Sequence, residues 1–427
     1  MRLEMIKKVI IDQIDEANAL LSDSKIIERD IEDPSKYLKD PNILSILGVR
    51  RSGKSTLALQ VAEKIGNFGY VNFDDERLYG MESNELSLLL EAWIEVLGRE
   101  PDILLLDEIQ NVEGWELFVN RMRRTRRVII TGSNAHLLEG DLSTHLTGRY
   151  IDVHMFPFSF SEYLRYRGVT YEQMDLNSTR GSSSLRKELK DFIENGGFPE
   201  VYSIGSDVLP RIYKDIILKD AILKNDIRNR KAFNEVARYL ISNHSREFTY
   251  SRISKVCNIT NKNMVSEYVG YLEEVEMVFH LERYSKKLSE QYNSPKKAYC
   301  IDTGLIGSIG FNISENRGLL MENLVAVELK RRSEREEESI ELYYWKDHSQ
   351  NEVDFVIRKG LRVEKLIQVA YSIDDEDTKK REREALIKGS NFLDCDDLMI
   401  ITWNEEGSLE IQGKTIRYVP LYKWLLS

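Results

Sequence analysis

Residues 43–56, ILSILGVRRSGKST, limit the fold of this chain more strongly than any other stretch. The apolar run 43–47 predicts a short buried strand, and the residues after Ser55 continue as a helix. Between them, Gly48 to Ser55 matches G-x-x-x-x-G-K-[ST] at every fixed position. Glycines let backbone N–H groups curl toward phosphate oxygens, and the start of the helix adds further N–H groups. The stretch therefore predicts a phosphate-binding loop (P-loop) in an α/β fold built on a parallel sheet; an ordinary turn of small residues is the alternative.

The fixed positions of this loop have distinct chemical tasks. The ammonium of Lys54 would reach the β- and γ-phosphates of a nucleotide, and the hydroxyl of Ser55 would hold Mg²⁺. ATP and Mg²⁺ are therefore the expected cofactors. The predicted nucleotide-binding residues are Gly48, Val49, Arg50, Arg51, Ser52, Gly53, Lys54, Ser55 and Thr56.

A second apolar run, Ile103 to Leu106, ends in the carboxylates of Asp107 and Glu108. This is the pattern of a Walker B strand, which would lie beside the strand that precedes the P-loop. Asp107 would bind Mg²⁺ through a water molecule, and Glu108 would orient and polarise the attacking water. Many strands end in acids, so an apolar run with two carboxylates is a weak signal by itself. It indicates a Walker B strand here because a P-loop precedes it in the chain.

Three further residues are candidates for the same site. Ser133 and Asn134 follow a third apolar strand and could sense the γ-phosphate and position water. They fit equally well as the N-cap of a following helix. Arg149 is a candidate arginine finger, acting either within its own chain or from a neighbouring subunit of a homo-oligomer. A surface salt bridge is the alternative for Arg149.

The composition narrows the class of protein. The chain has 427 residues, a hydrophobic fraction of 42% and a formal net charge of −11, which indicate several globular domains and do not favour nucleic acid as a partner of the whole molecule. Cys257, Cys300 and Cys395 lie too far apart for a disulfide framework or a zinc cluster. No apolar run approaches 18 residues, so we expect no membrane span and a cytoplasmic location.

The ordered motifs of the chain resemble one family. They are GVRRSGKST, LLLDEIQNVEGWE, IITGSNAHLL, LTGRY with FPFSFSEYL, ENGGFPEVY, KKAYCIDTGL, ENLVAVEL and NEVDFVI, and they extend from about residue 40 to about residue 370. This set is similar to the archaeal and bacterial AAA-type ATPases whose C-terminal part is a domain of unknown function related to the PD-(D/E)xK nucleases. The resemblance implies an ATP-binding core, a helical lid, a winged helix and a nuclease-like domain.

The domain boundaries follow from these motifs and from the hydrophobic pattern. We expect an N-terminal helical arm (1–40), the P-loop ATPase core (41–160), the helical lid (161–230), the winged helix (231–302) and the nuclease-like α/β domain (303–427). The arm is predicted from apolar residues at helical spacing, such as Ile6, Val9 and Ile10. Within the lid, the polar stretch 177–184 predicts a loop or hinge.

The predicted winged helix leaves two kinds of partner open. Its third helix, 261–274, has an apolar stripe for the core and an exposed face that begins with Lys262 and Asn263. In many DNA-binding proteins such a helix enters the major groove of double-stranded DNA. Glu267 and Glu273 follow further along, and carboxylates that face phosphates oppose binding. DNA and a protein partner therefore stand as alternatives. The stripe consists of Val265, Tyr268, Val269 and Leu272.

The C-terminal domain matches a PD-(D/E)xK site only in part. Glu322 on a helix and Asp354 on a strand occupy the first two acidic positions. The third position is Gln368, and Ala370 stands where the family pattern has a lysine. Lys365 lies three residues before Gln368, so it faces the other side of the strand. The sequence therefore predicts a degenerate site that either binds a metal weakly or has a structural or binding role.

Taken together, these features predict a Mg²⁺-dependent ATPase that uses ATP binding and hydrolysis to move the winged-helix and nuclease-like modules, with DNA as a candidate partner. Two alternatives are an ATP-liganded regulatory switch that acts on a protein partner and an ATP-controlled DNA nuclease. Stimulation of turnover by DNA, or plasmid nicking that depends on Asp354, would distinguish them.

Overall fold

The structure is a computed structural model that describes residues 3–39, 42–132, 149–311, 317–335, 339–371 and 376–427. The chain divides into two compact units, Met1–Phe156 and Pro157–Ser427, and each has its own sheet. The α/β fold class predicted from the sequence is confirmed, as is a parallel sheet around the P-loop motif. Across the described ranges, no helix combines the length and the apolar character that crossing a membrane requires.

The first unit is built on a five-stranded parallel sheet. Its elements in chain order are α1 (Leu3–Leu21), β1 (Ile43–Leu47), α2 (Lys54–Ile65), β2 (Phe68–Asn72), α3 (Leu88–Leu97), β3 (Ile103–Asp107), α4 (Trp115–Met122), β4 (Arg127–Gly132) and β5 (Tyr150–His154), with short 3-10 helices at Pro34–Lys39, Glu76–Leu78, Ser83–Ser87 and Ile109–Asn111. The strand order is β2-β3-β4-β1-β5. Every residue of β1 and β3 is buried, because apolar clusters cover both faces of the sheet. Since β4 lies between β1 and β3, the carboxyl ends of these three strands meet at one edge.

The predicted N-terminal arm, residues 1–40, contributes to the core of this unit. Ile6 and other apolar residues of α1 are fully buried in the same cluster as Trp93. Gln13 on α1 donates its Nε2 to the backbone oxygen of Asn72 (3.0 Å) and accepts the N–H of Asn72 (2.9 Å). The helix therefore satisfies backbone groups of β2, which is an edge strand.

The second unit begins with a helical region. Its elements are α5 (Phe160–Tyr166), α6 (Gln173–Asn177), α7 (Thr179–Asn195), α8 (Pro199–Ile204), a 3-10 helix (Ser206–Val208) and α9 (Leu209–Asp215), which continues as a π-helix (Ile216–Leu223). The loop predicted for residues 177–184 is wrong, because α7 begins within it. Ser178 caps α7 by accepting the N–H of Gly181 on its Oγ (3.0 Å), and Leu185 and Leu189 are buried further along. Capping and the buried apolar stripe stabilise a helix despite the run of serines.

The region predicted as a winged helix contains α10 (Arg230–Ser242), β6 (Arg246–Phe248), α11 (Tyr250–Val256), α12 (Lys262–Glu274), β7 (Val278–Arg283), α13 (Leu288–Asn293) and β8 (Lys296–Cys300). The apolar stripe expected on α12 is buried. Strands β6 and β7 both pair antiparallel with β8. These elements follow the order helix–strand–helix–helix–strand–helix–strand, and α13 lies in the connection between β7 and β8.

The C-terminal elements are α14 (Thr303–Ile309), α15 (Arg317–Ser333), β9 (Ile340–Lys346), β10 (Glu352–Lys359), β11 (Arg362–Ala370), α16 (Glu376–Leu393), β12 (Leu398–Thr402), β13 (Gly407–Ile411), β14 (Lys414–Pro420) and α17 (Leu421–Leu425). Because β7 pairs in parallel with β9, a single nine-stranded sheet runs β13-β14-β12-β11-β10-β9-β7-β8-β6. The sheet is therefore continuous across the boundary expected at residue 302. Helix α16 is rich in charged residues, and it buries Leu386 and Ile387 in an apolar cluster of this unit.

Two motifs of the sequence meet inside the second unit. The buried carboxylate of Asp302 accepts the N–H of Gly197 on Oδ2 (2.5 Å) and the N–H of Leu305 on Oδ1 (3.1 Å). Gly196 has a φ of 79°, and a Cβ there would overlap this carboxylate. Burial raises the pKa of Asp302 to about 6, although the backbone N–H groups oppose the shift. The GGFPE and IDTGL motifs therefore have a packing role.

Candidate nucleotide-binding site

The loop after β1 has a backbone that requires glycine. Gly48 (φ 141°) and Gly53 (φ 99°) lie in the left-handed region, where other residues are strained. A Cβ on Gly48 would also overlap the backbone oxygen of Met155. Helix α2 starts at Lys54 with Gly53 as its N-cap, so no capping side chain covers the first N–H groups. The loop therefore leads directly into a helix terminus that suits an anion.

The ammonium of Lys54 is held by the loop itself. Lys54 is 4% exposed, and its Nζ donates to the backbone oxygens of Gly48 (3.0 Å) and Val49 (3.1 Å). A buried cation requires such partners because it has lost its hydration. Charged phosphate oxygens are stronger acceptors than neutral carbonyls. An anion that enters the loop would therefore take over these contacts.

Ser52 presents a polar atom that suits a ligand. Its Oγ is buried and has no hydrogen-bond partner among the described residues. On the other side of the loop, the guanidinium of Arg29 donates to the backbone oxygens of Ser52 (2.9 Å) and Phe156 (2.7 Å). Buried hydroxyls are seldom left unsatisfied. The Ser52 hydroxyl therefore fits a loop that closes around a polar group such as a phosphate.

The remaining predicted binding residues lie in the same loop and in the first turn of α2. Val49 is fully buried, and Arg51 has a left-handed backbone (φ 68°). The guanidinium of Arg50 pairs with Asp74 just beyond β2 (3.1 Å). Thr56 is half-buried on α2. The loop is thus linked to the end of the edge strand as well as to its own helix.

Asp107, the last residue of β3, is the centre of a hydrogen-bond network. Its Oδ1 accepts the hydroxyls of Ser55 (3.0 Å) and Thr131, and its Oδ2 accepts the hydroxyl of Tyr70 (3.2 Å). Full burial raises the pKa of Asp107, while these hydrogen bonds lower it. Hydroxyl and carboxylate oxygens are the hard ligands that Mg²⁺ prefers, and the ion usually keeps several of its waters. The chemistry of Ser55 and Asp107 therefore suits a magnesium ion, which Ser55 would contact directly and Asp107 through water.

Glu108 turns sharply out of the strand next to this network. Its backbone is left-handed (φ 53°), which is strained for a residue with a side chain, and its N–H donates to Oγ1 of Thr131 (3.0 Å). The carboxylate accepts a hydrogen bond from the side-chain amide of Gln110. Burial raises the pKa of Glu108, and the charge of Lys54 opposes the shift. A carboxylate of raised pKa is suited to accept a proton from water.

Sequence reasoning missed Thr131 and Tyr70. It assigned the polar end of β4 to Ser133 and Asn134, which lie outside the described residues. Thr131 is fully buried and contacts Asp107, because β4 lies directly beside β3. The sequence signal for Thr131 was its hydroxyl at the end of the otherwise apolar run VIIT, residues 128–131. Tyr70 gave no comparable signal, because its contact depends on the pairing of β2 with β3.

The structure does not bring Arg149 to the P-loop of its own chain. Arg149 is exposed just before β5, and its backbone oxygen accepts the N–H of Ile43 (3.0 Å) at the start of β1. Strands β1 and β5 are parallel, so the P-loop lies at the other end of both. At about 3.3 Å per residue, this separation is roughly 16 Å along the strand. Action from a neighbouring subunit is therefore the form of the arginine-finger prediction that fits the geometry.

The three residues of the degenerate nuclease-like pattern also lie together. Glu322 on α15, Asp354 on β10 and Gln368 on β11 line one cleft of the second unit, and Gln368 Oε1 accepts the N–H of Asp354 (3.2 Å). Sequence reasoning missed Lys297 on β8, whose Nζ contacts both acids. The reason is that β8 was assigned to the winged helix, whereas the structure joins it to the same sheet. A lysine within the short strand KKAYC was the only local signal.

Comparison with protein families divides the chain into three parts. An AAA domain matches residues 40–164, a domain of unknown function (DUF8612) matches residues 186–316, and another domain of unknown function (DUF4143) matches residues 317–422. The AAA match spans the P-loop as well as Asp107 and Glu108. The two other matches lie within the second unit.

Relatives share nearly the whole chain. An uncharacterised protein of Methanocaldococcus jannaschii is 32% identical over 442 residues, which cover 99% of this chain and 95% of that protein. An uncharacterised protein of Haemophilus influenzae is 29% identical over 91% of this chain and 95% of its own length. Similar solved structures include Cdc6p of Pyrobaculum aerophilum (13% identity, TM-score 0.28, 72% of this chain and 98% of that chain) and AMPPCP-bound DnaA of Aquifex aeolicus (14% identity, TM-score 0.22, 62% and 87%).

Proposed function

The chain belongs to the AAA-type P-loop ATPases, and on that premise we propose that its first unit binds ATP with Mg²⁺ and hydrolyses ATP to ADP and phosphate. The observation that carries the proposal is the convergence of Lys54 and Ser55 with the two acids that end β3, at the carboxyl edge of one parallel sheet. Ligands of open parallel sheets bind at this edge. One ligand can therefore reach the loop and both acids.

In the proposed reaction, the terminal phosphoryl group of ATP is transferred to water. Lys54 exchanges its carbonyl contacts for γ-phosphate oxygens and neutralises their charge while the bond to ADP breaks. Glu108 orients the attacking water and accepts its proton. Ser55 and Asp107 would hold Mg²⁺, which supplies further charge neutralisation at the phosphates. Thr131 holds both acids in place through its hydroxyl.

We also propose that Arg149 acts on the site of a neighbouring subunit. It is exposed at the edge of the sheet opposite its own P-loop, where a second copy of the chain could approach it. An arginine supplied in this way stabilises the charge that develops on the transferred phosphoryl group. A homo-oligomer would then be the active form.

The variant Lys54→Ala tests nucleotide binding. Its matched control is Lys64→Ala on the same helix, where the ammonium is exposed and pairs with Asp33. Thermal unfolding is measured with and without ATP and Mg²⁺. At a ligand concentration of about 100 times Kd, the parent and Lys64→Ala should each gain about 2.7 kcal/mol of stability. Lys54→Ala should gain none, and a shift equal to that of the parent would reject binding at this loop.

For the second unit, we propose that ATP turnover acts on a protein partner. Helix α13 exposes Leu288 and Tyr292, each 61% accessible, and Glu267 is exposed on α12. Exposed apolar side chains, together with an acid on the helix that would read DNA, favour a protein surface over phosphates. ATP hydrolysis with and without double-stranded DNA, over a range of salt, tests this. No response to DNA is expected; stimulation that fades as salt rises would favour DNA instead.

A further inference from the structure

A cleft of about 380 Å³ opens in the second unit among α15, β10, β11 and α16. Its walls carry four carboxylates and three side-chain amides, in addition to the guanidinium of Arg381. The acids are Glu322, Glu352, Asp354 and Glu382, and the amides are Gln350, Asn351 and Gln368. The PD-(D/E)xK nucleases, which the sequence of this domain resembles, hold a divalent metal between acids at the corresponding positions. The question is therefore which cation lies between the acids of this cleft.

A lysine from a distant part of the chain occupies the point where three of these acids converge. Lys297 Nζ lies 2.9 Å from Glu322 Oε1, 2.6 Å from Glu352 Oε1 and 3.0 Å from Asp354 Oδ1. Lys297 is 3% exposed, so its ammonium has exchanged water for carboxylate oxygens. Three acceptors match the three donors of an ammonium group. The charge that the acids would offer a metal is therefore directed to Lys297.

The second oxygens of Asp354 and Glu352 are also engaged, and the contacting oxygen of Glu322 has a second donor. Asp354 Oδ2 accepts the N–H of Val369 (3.0 Å), and Glu352 Oε2 lies 3.0 Å from the ammonium of Lys346. The hydroxyl of Tyr299 donates to Glu322 Oε1 (2.9 Å), which Lys297 already contacts. In the part of the chain that the structure describes, no group of three His, Cys, Asp or Glu residues has the geometry to hold a metal ion. These residues therefore do not fit the divalent ion that the nuclease resemblance implies.

We infer that Lys297 is a built-in cation that takes the place of the divalent metal in this cleft. The ammonium joins β8 to α15 and to β10, so a strand of the predicted winged helix and the nuclease-like elements share one buried charge cluster. The cleft is then metal-free and does not hydrolyse phosphodiesters. An alternative is that Lys297 serves as the nuclease lysine from a different strand. In that case Glu322 and Asp354 would have to remain available to the metal, but Lys297 contacts both acids.

The inference is tested by titrating the nucleotide-free full chain with Mn²⁺ and measuring the free ion by electron paramagnetic resonance. All proteins carry Asp107→Asn, which removes the carboxylate proposed to hold the metal of the first unit. The series comprises this background, Lys297→Ala, Asp354→Asn and the combination of the last two. Lys296→Ala is the matched control, because Lys296 is the adjacent lysine on β8 and pairs with Glu282 (2.7 Å) outside the cluster.

We expect the background and Lys296→Ala to show no Mn²⁺ site that depends on Asp354. Lys297→Ala should gain one site, with at least tenfold tighter binding than the background, and Asp354→Asn should abolish that gain. Asp354-dependent binding in the background protein would overturn the inference, and so would a folded Lys297→Ala protein that gains no site. If Lys297→Ala does not fold, Mn²⁺ binding by the background protein is compared with binding by Asp354→Asn, because Lys297 is intact in both. Equal Mn²⁺ binding would support the inference, and weaker binding by Asp354→Asn would overturn it.

Discussion

Replacing Thr131 by valine tests the hydrogen-bond network that holds Asp107 and Glu108. Valine keeps the β-branched shape of threonine but removes the hydroxyl that contacts Asp107 Oδ1 and accepts the N–H of Glu108 (3.0 Å). A hydrogen bond to a charged group contributes about 1.5–3 kcal/mol, and a buried N–H left without a partner costs about 1–3 kcal/mol. The two effects share one hydroxyl and are not simply additive. We therefore expect the free energy of unfolding of the first unit to fall by about 2–4 kcal/mol.

For a unit of this size, such a loss corresponds to a decrease in Tm of roughly 4–16 °C, which calorimetry of the full chain can measure. ATP turnover should also slow by roughly tenfold or more, because the general base loses the contact that holds its backbone. Thr131→Ser is the matched control, since it keeps the hydroxyl and should restore most of both properties. A Thr131→Val protein with the Tm and turnover of the parent would refute the role given to this hydroxyl.

Three further predictions concern other parts of the chain. Gly48→Ala should abolish ATP binding, because the added Cβ would overlap the backbone oxygen of Met155. Gly66→Ala is the control and should bind ATP, because Gly66 also has a positive φ but no neighbour near the added Cβ. Equal ATP binding by the two variants would contradict the close approach at Gly48. Because burial raises the pKa of Asp302 to about 6, the folded state keeps a proton that the unfolded chain releases near pH 4, so the free energy of unfolding should fall as pH rises from about 4 to 6. Denaturant titrations at several pH values should show a weaker fall in Asp302→Asn, and identical slopes would count against this assignment. Arg149→Ala should lower ATP turnover. If the arginine acts between subunits, mixing Arg149→Ala with Lys54→Ala should restore part of the activity. A mixture without activity would contradict that arrangement.

The strand–loop–helix at residues 43–65 could be predicted closely from the sequence. Its signals are local: an apolar run, glycines where the backbone is left-handed, and a lysine and a hydroxyl at fixed spacing. The acids of β3 were predictable for the same reason, since a strand that ends in Asp107 and Glu108 has few other interpretations after a P-loop. Local chemistry therefore sufficed for the residues that would touch phosphate and metal.

The partners of those residues could not be predicted in the same way. Thr131 reaches Asp107 because β4 is inserted between β1 and β3, and the sequence does not state the strand order. Lys297 reaches Glu322 because β7 pairs with β9, which joins two modules that the sequence had separated. Both contacts depend on pairing between distant strands, whereas motif reading depends on neighbours in the chain.

The error at residues 177–184 has a different cause. Serine, asparagine and glycine favour loops because their side chains or flexible backbone compete with helical hydrogen bonds. Here Ser178 supplies the cap instead, and Leu185 and Leu189 bury the following turns. The buried apolar stripe begins just after the polar run, so the composition of residues 177–184 alone does not predict the helix.

The most direct test of the proposed function is the rate of ATP hydrolysis by Glu108→Gln in the presence of Mg²⁺. Glutamine preserves the shape of the side chain but cannot accept a proton from water. Glu113→Gln, at an exposed position between β3 and α4, is the matched control. We predict that Glu108→Gln binds ATP with parental affinity and turns over at least about a hundredfold more slowly, while Glu113→Gln keeps the parental rate. Hydrolysis by Glu108→Gln at the parental rate would contradict the proposal that Glu108 activates the attacking water.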